Sequence, residues 1–273
     1  MSAPRVNPDW LRSLRASAVQ PLRQLRQPLW VGESVIGSVE ADFSSQIRLQ
    51  PSIYLHDRLS KEEQSGNVGW ALKGEVTATL NEMAHALHGA GLAGAWRDEQ
   101  LAVIDDSGRR VGTIERAAVR PLGITTYAVH LAAKTFDGRH WVQRRALDKS
   151  NDPGLWDTLM GGMVSAADTL QTALQRDTWE EAGLHIAHFQ GLRYGGRLTT
   201  RRPAVDRTGA GYVVEHIDWY VCTVPDGLVP LNQDGEVAQF ALMDGPDLIG
   251  AMQRGDFTLE AALTLTGVMG LHA

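Results

Sequence analysis

Apolar positions along the chain change period several times, and each change marks an element. Between residues 9 and 26, Leu11, Leu14, Val19, Leu22 and Leu25 recur among arginines. That spacing predicts one or two short amphipathic helices interrupted at Pro21. Their apolar face is expected to pack on its own domain, with a membrane surface as the alternative. Residues 30–43 read as strand, a turn at Gly37, and strand again. Val76, Leu80, Met83, Ala84 and Leu87 follow helical spacing over residues 75–90, and the pattern stops at Gly89, Gly91 and Gly94. Residues 101–104 and 111–114 flank the turn Asp105-Asp106-Ser107-Gly108, a hairpin signature.

Pro121-Leu122-Gly123 is the expected boundary between an N-terminal α+β accessory domain, residues 1–120, and a second domain, residues 121–273. In the second, residues 125–135 and 141–145 read as strands around the turn Asp137-Gly138. A helix is predicted over 169–182, strands near 211–224 and 238–243, and a last helix near 259–269. Strands and helices mix without a regular βαβ rhythm, so the fold class is α+β and not a doubly wound sheet.

Composition narrows the function classes. Apolar residues make up 43% and charged residues 21% of 273, ordinary values for a globular chain. The net charge of −6 argues against nucleic acid as a bulk partner. It still permits an anionic small molecule if a metal and local cations supply positive charge. The single cysteine, Cys222, precludes an intramolecular disulfide or a thiolate cluster and reads as a small buried residue. No apolar run approaches the roughly 18 residues of a membrane span. A reducing cytoplasm is the expected setting, and the arginine-rich, Ala/Gly-rich usage suggests a bacterial source.

One helix carries most of the candidate chemistry. At about 100° per residue, Glu180 and Glu181 fall within about 60° of Asp177 on either side. Three carboxylates on one face repel one another, so a cation is expected to neutralise them. Hard oxygen donors select Mg²⁺ or Mn²⁺ over zinc. The plainer alternative is a solvated acidic helix end, which the helix dipole disfavours.

The wider run resembles the Nudix box: glycine, five residues, glutamate, seven residues, then Arg-Glu-apolar-any-Glu-Glu-any-Gly-apolar. Gly162, Asp168, Arg176, Asp177, Thr178, Glu180, Glu181, Gly183 and Leu184 occupy those places. Three residues depart from the pattern: Asp168 and Asp177 stand for glutamate, and Thr178 takes an apolar position. The resemblance implies a Nudix fold, a mixed sheet sandwiched between helices. It also implies that Glu180, Glu181, Asp177, Asp168 and the Gly162 carbonyl hold metal, that Arg176 orients the acids, and that Gly183 ends the helix. Asp168 has two open roles, a second-metal ligand or a helix cap with Gln171. Glu236, in Asp234-Gly235-Glu236-Val237, resembles the extra glutamate of Nudix enzymes; it is the candidate for an additional metal ligand or the general base, with Asp177 the alternative.

Further stretches are similar to a Nudix subfamily with a distinctive N-terminal domain, related to the Nudix region fused to thiamine pyrophosphokinase in some fungi. They are Trp96-Arg-Asp-Glu99, Glu115-Arg-Ala-Ala118, Leu122-Gly-Ile124, Ala128-Val-His130, Arg144-Arg145 through Lys149, and Pro153-Gly-Leu-Trp-Asp157. This resemblance implies hydrolysis of thiamine diphosphate or its oxidised analogues to monophosphates. Arg144, Arg145 and Lys149 could hold phosphate oxygens, and Trp96 and Trp156 could stack on a heterocycle. His130 reads as a core histidine. The alternatives are an ADP-ribose or nucleoside-diphosphate-sugar pyrophosphatase, and a catalytically weak ligand-sensing module. Isopentenyl-diphosphate isomerase, a Nudix relative, uses a cysteine near its box, and this chain has none there. A homodimer is compatible with the family.

Overall fold

The computed structural model describes residues 6–48, 55–204 and 211–271. Helix α1 (Pro8–Ala18) starts where the Asn7 side chain accepts from the backbone of Asp9 and Trp10. One helix forms of the one or two expected, and it ends before Pro21. Val19 bridges to Arg201 instead, and Gln20 donates its N–H to the Arg201 carbonyl at 2.7 Å, so the chain is already extended at Pro21. Leu22 and Leu25 are exposed.

Strands β1 (Arg26–Val31) and β2 (Ser34–Glu40) are antiparallel. Their turn falls at Gly32, with φ +61°, and not at Gly37. Gly37 lies inside β2, where a Cβ would come 2.5 Å from the Leu122 carbonyl oxygen. It is therefore needed for close approach of two backbones, a strand use of glycine that mimics a turn signal in sequence. Two short helices, α2 (Phe43–Arg48) and α3 (Leu55–Arg58), lead to the hairpin β3 (Leu59–Gln64) and β4 (Asn67–Leu72). The sheet order is β2-β1-β4-β3. Helix α4 (Val76–Gly89) packs Leu80, Met83 and Leu87 into a core with Leu29, Ile114, Leu122 and Ile124. The hairpin β5 (Gln100–Ile104) and β6 (Arg110–Glu115) forms as expected, and a 3₁₀ turn over Arg116–Ala118 follows it.

The second half is built on β7 (Thr125–Lys134), β8 (His140–Arg145), β9 (Trp156–Asp157) and β10 (Met160–Met163). After these come α5 (Leu170–Ala182), β11 (Gln190–Pro203), β12 (Tyr212–Thr223), β13 (Val237–Met243), α6 (Gly245–Arg254) and α7 (Leu259–Val268). The sheet runs β11-β12-β7-β8-β13, with β10 on β7 and β9 on β8. β7 and β12 are parallel while their other neighbours are antiparallel, so the sheet is mixed. Residues 128–133 of β7 are buried without a break because both faces are covered. Val129, Leu131 and Ala133 share a core with Leu174 and Ala182 of α5. Ala132 belongs to the opposite core, with Leu248 of α6 and Leu265 of α7.

Leu11 of α1 is buried in that same opposite core. The first helix thus packs on the last elements of the chain, and the β1–β6 unit is inserted between them. No helix among the described residues is long and apolar enough to cross a membrane.

Candidate active site

Helix α5 is placed at both ends by local chemistry. Thr169, and not Asp168, is the N-cap: its hydroxyl accepts from the Thr172 N–H at 3.1 Å, and the Thr172 hydroxyl accepts from the Thr169 N–H at 2.8 Å. This reciprocal box stands where an Asp168–Gln171 cap was one of the two roles open to Asp168. Gly183 closes the helix at φ +62°, as the motif requires. Thr178 is fully buried at its unusual position, and its hydroxyl is satisfied by the Leu174 carbonyl at 2.6 Å. The helix therefore absorbs a polar group in its packed face at no cost of an unmade bond.

The acids on this helix differ sharply in environment. Glu180 is exposed, while Asp177 and Glu181 are each only 7% exposed. Glu181 Oε2 accepts from Gln143 Nε2 at 2.7 Å and from the Gly161 N–H at 3.2 Å. Asp177 Oδ1 accepts from Arg176 Nε at 3.0 Å, whereas Asp177 Oδ2 is buried with no partner. Arg176 also pairs with Asp168 at 2.7 Å and donates to the Met163 carbonyl at 3.1 Å. It ties the helix to the β10 loop and bonds the Asp177 carboxylate. Gly162 sits in β10 directly against the Asp177 carboxylate, and a Cβ there would come 2.5 Å from Cγ.

These residues line a cleft of about 840 Å³ that the β1–β6 unit helps to wall. Of the candidates from sequence, Gly162, Asp177, Glu180, Glu181, Arg176, Arg145, Lys149 and Glu236 border it together. Lys149 and Glu236 form an ion pair within it, and Arg145 is held by the Asn151 carbonyl and Asp157.

Four candidates lie outside the lining. Arg144 is exposed, donates to the Gly154 carbonyl and lies over the Trp156 ring. Trp156 packs with the core shared by α6 and α7. Trp96 stacks on His85 and donates to Asp98. Asp168 braces Arg176 and the loop hydroxyl of Ser165. Neither tryptophan lines the cleft, and each ring already has a packing partner. His130, read as a core residue, is buried and bonded to Thr158 but borders the cleft.

Sequence reasoning missed the cations Arg97, Arg116 and Arg202 and the half-buried acids Glu215 and Glu260, all of which line the cleft. Arg97 and Arg116 fall in the very stretches that carry the resemblance, Trp96-Arg-Asp-Glu99 and Glu115-Arg-Ala-Ala118. A glutamate inside the apolar strand run Val213-Val214-Glu215 was a readable signal.

Burial pushes the Asp177 carboxyl up to about 6, against the pull of Arg176. It pushes Glu181 up to about 8, against its bonds from Gln143 and Gly161. The folded protein therefore holds protons that the unfolded chain, with ordinary values of 3.8 and 4.5, has released. The stability from these carboxyls is fully present below about pH 4 and is lost as pH rises through about 6 and about 8. A divalent cation that binds the ionised acids would reverse this loss. We expect the rise in Tm caused by Mg²⁺ to be larger at pH 8 than at pH 5.5. Melts against an EDTA control read it, and an equal rise at both values would refute metal binding at these acids.

The donor set suits a hard divalent ion. Among the described residues, no three His, Cys, Asp or Glu side chains are already arranged around one point. Yet the partnerless Asp177 Oδ2, the neighbouring Glu181 and the side-chain-free surface at Gly161–Gly162 offer oxygen donors and room beside them. A buried carboxylate oxygen without a donor is costly unless a cation completes it.

The NUDIX domain family matches residues 125–262. An uncharacterized protein of Saccharomyces cerevisiae is 24% identical over 65% of this chain and 55% of its own length. An uncharacterized Nudix hydrolase of Pseudomonas aeruginosa is 34% identical over 38% of this chain and 60% of its own. An isopentenyl-diphosphate Delta-isomerase of Agromyces mediolanus is 29% identical over 61% of this chain and 78% of its own. The chain thus spans little more than half the length of the first two relatives. With the box residues gathered on α5 and β10 and the family match covering half of its sequence, the chain belongs to the NUDIX domain family.

Proposed function

We propose that the protein hydrolyses a diphosphate linkage with Mg²⁺ or Mn²⁺, acting on thiamine diphosphate or an oxidised analogue to give the monophosphate and inorganic phosphate. The observation that carries the reading is the pair of buried acids, Asp177 and Glu181, facing a cleft with one carboxylate oxygen unsatisfied. When bound, the metal supplies Lewis acidity toward the phosphoryl oxygens and the attacking water. Glu181, Asp177, Glu180 and the Gly162 carbonyl would hold it. Arg176 fixes Asp177 in place. Burial opposes ionisation of Glu236, but the Lys149 bond and charge win and hold its carboxyl below the usual range. It is therefore ionised and available to take a proton from water, while Lys149 can pass to a phosphate oxygen.

The substrate class rests on the family resemblance and on charge. Acids outnumber cations along the cleft by eleven to seven. That excess suits a substrate that carries a cationic ring on its diphosphate, as thiamine does. The isomerase reading has no support at the site. Cys222 lies in β12, its thiol pushed up to about 12 by burial, and it does not line the cleft.

Thiamine diphosphate, an oxidised analogue and ADP-ribose, assayed side by side with Mg²⁺ and with EDTA, test the proposal. We expect Mg²⁺-dependent release of inorganic phosphate from the thiamine compounds. Rapid ADP-ribose cleavage with no phosphate release would move the substrate to the nucleotide class. Binding of a thiamine diphosphate without turnover would mark a sensing module.

A further inference from the structure

We infer that Arg97 and Arg116, both from the β1–β6 unit, form a cationic clamp that grips the diphosphate from the N-terminal wall of the cleft. The inference rests on the hydrolase reading above and names the residues that would hold the substrate's anionic end.

The first observation is an imbalance. The cleft carries more acids than cations, yet the proposed substrate is anionic at the reacting end. Most of the cations are already engaged. Arg176 is paired with Asp168 and Asp177, Arg202 with Glu260, and Lys149 with Glu236. Arg116 gives one nitrogen, Nη1, to Glu99 at 2.6 Å and keeps other donors of its fork. Among the described residues, the Arg97 guanidinium has no hydrogen-bond or ion-pair partner, and Arg97 is exposed at the cleft. The charges of Arg97 and Arg116 both reach Glu236, so the two lie on the side of the cleft that holds the Lys149–Glu236 pair.

The second observation is how the two arginines are held. Glu115 is 1% exposed, and its carboxylate accepts three backbone N–H groups: Arg97 at 3.0 Å, Glu99 at 3.1 Å and Ala117 at 3.2 Å. One buried acid therefore binds together the loop that carries Arg97 and the turn that carries Arg116. The Arg116 N–H adds a bond to the Glu99 carbonyl at 2.9 Å. Asp98, between the two gripped residues, adopts φ +54°, a conformation costly for a non-glycine residue. Trp96 anchors it by donating to Asp98 at 2.7 Å and stacking on His85. A plain connector needs no buried charge and no left-handed aspartate. A site that must present two arginines from fixed backbone positions gains from both, because an anchored backbone loses less entropy when the side chains meet phosphate.

The test uses the full chain and methylenediphosphonate, whose P–C–P bridge resists hydrolysis, titrated calorimetrically with Mg²⁺ present. Arg97→Ala and Arg116→Ala should each weaken binding about tenfold, the lower end for a charge-assisted bond. Arg97→Lys should recover part of the loss, since a point charge replaces the fork. On a hydrolysed diphosphate, KM should rise more than kcat falls. Arg97→Ala should melt like the parent, because its side chain holds nothing else in place. Binding within twofold of the parent in Arg97→Ala and Arg116→Ala would overturn the clamp and leave Mg²⁺-dependent turnover standing. Absence of turnover in the parent protein on every diphosphate would instead bring down the hydrolase reading, and the clamp with it.

Discussion

Glu181→Gln should lower Mg²⁺-dependent turnover by about 10³-fold while leaving the fold and its melting temperature almost unchanged. The two halves of that result have one cause. In the metal-free protein burial holds the Glu181 carboxyl largely protonated at neutral pH. A neutral amide of the same shape is therefore close to the state already present. Gln143 and the Gly161 N–H keep an oxygen to bond. Metal binding is different, because it needs the ionised carboxylate and releases its proton. The amide cannot supply that charge, and the lost transition-state stabilisation amounts to about 4 kcal/mol for 10³-fold. Single-turnover rates and melts on the same preparations check it. Near-parental rates in Glu181→Gln would remove the residue from the mechanism. A collapse of the melt would show that it serves the core instead.

The sequence made the acidic face legible because helical geometry is local. Once residues 169–182 were read as helix, Asp177, Glu180 and Glu181 had to share a face, and α5 runs from Leu170 to Ala182. Which of the three is buried depends on the sheet beneath, and no spacing rule reveals it. Glu180 and Glu181 are adjacent, yet one faces solvent and the other faces Gln143 of β8. The hairpin of β5 and β6 was legible for the same local reason. β11 was not, because an edge strand rich in glycine and arginine shows little alternation of apolar and polar residues: Gly191, Arg193, Gly195, Gly196 and Arg197 all fall within its first eight positions. Gly37 misled because close approach and tight turning both need glycine, and only the opposing Leu122 carbonyl tells them apart. The cleft's N-terminal wall was beyond reach in another way. Arg97 and Glu236 are separated by more than half the chain and come to one cleft only in the folded protein.

Gly162→Ala tests whether the site depends on space as well as on charge. Gly162 is in β10, paired with Val129 of β7, and its backbone is not in the left-handed region, so alanine meets no conformational barrier. The obstacle is the Asp177 carboxylate, which a new Cβ would overlap. That carboxylate cannot retreat freely, since Arg176 holds Oδ1 and the helix is fixed at Thr169 and Gly183. It must rotate away from β10 or push the strand aside, and either motion moves Oδ2 by a substantial part of an ångström. A displacement of about 1 Å at a reacting centre costs on the order of 10²-fold, so turnover should fall by roughly that factor. Mg²⁺ affinity, read by calorimetry, should weaken in parallel. Gly161→Ala is the internal control: its Cβ would meet the His130 ring at 3.0 Å and leave Asp177 untouched, so its effect on Mg²⁺ affinity should be smaller. If Gly162→Ala bound Mg²⁺ as tightly as the parent, the metal would not lie between β10 and Asp177, and the orphaned oxygen would need another explanation.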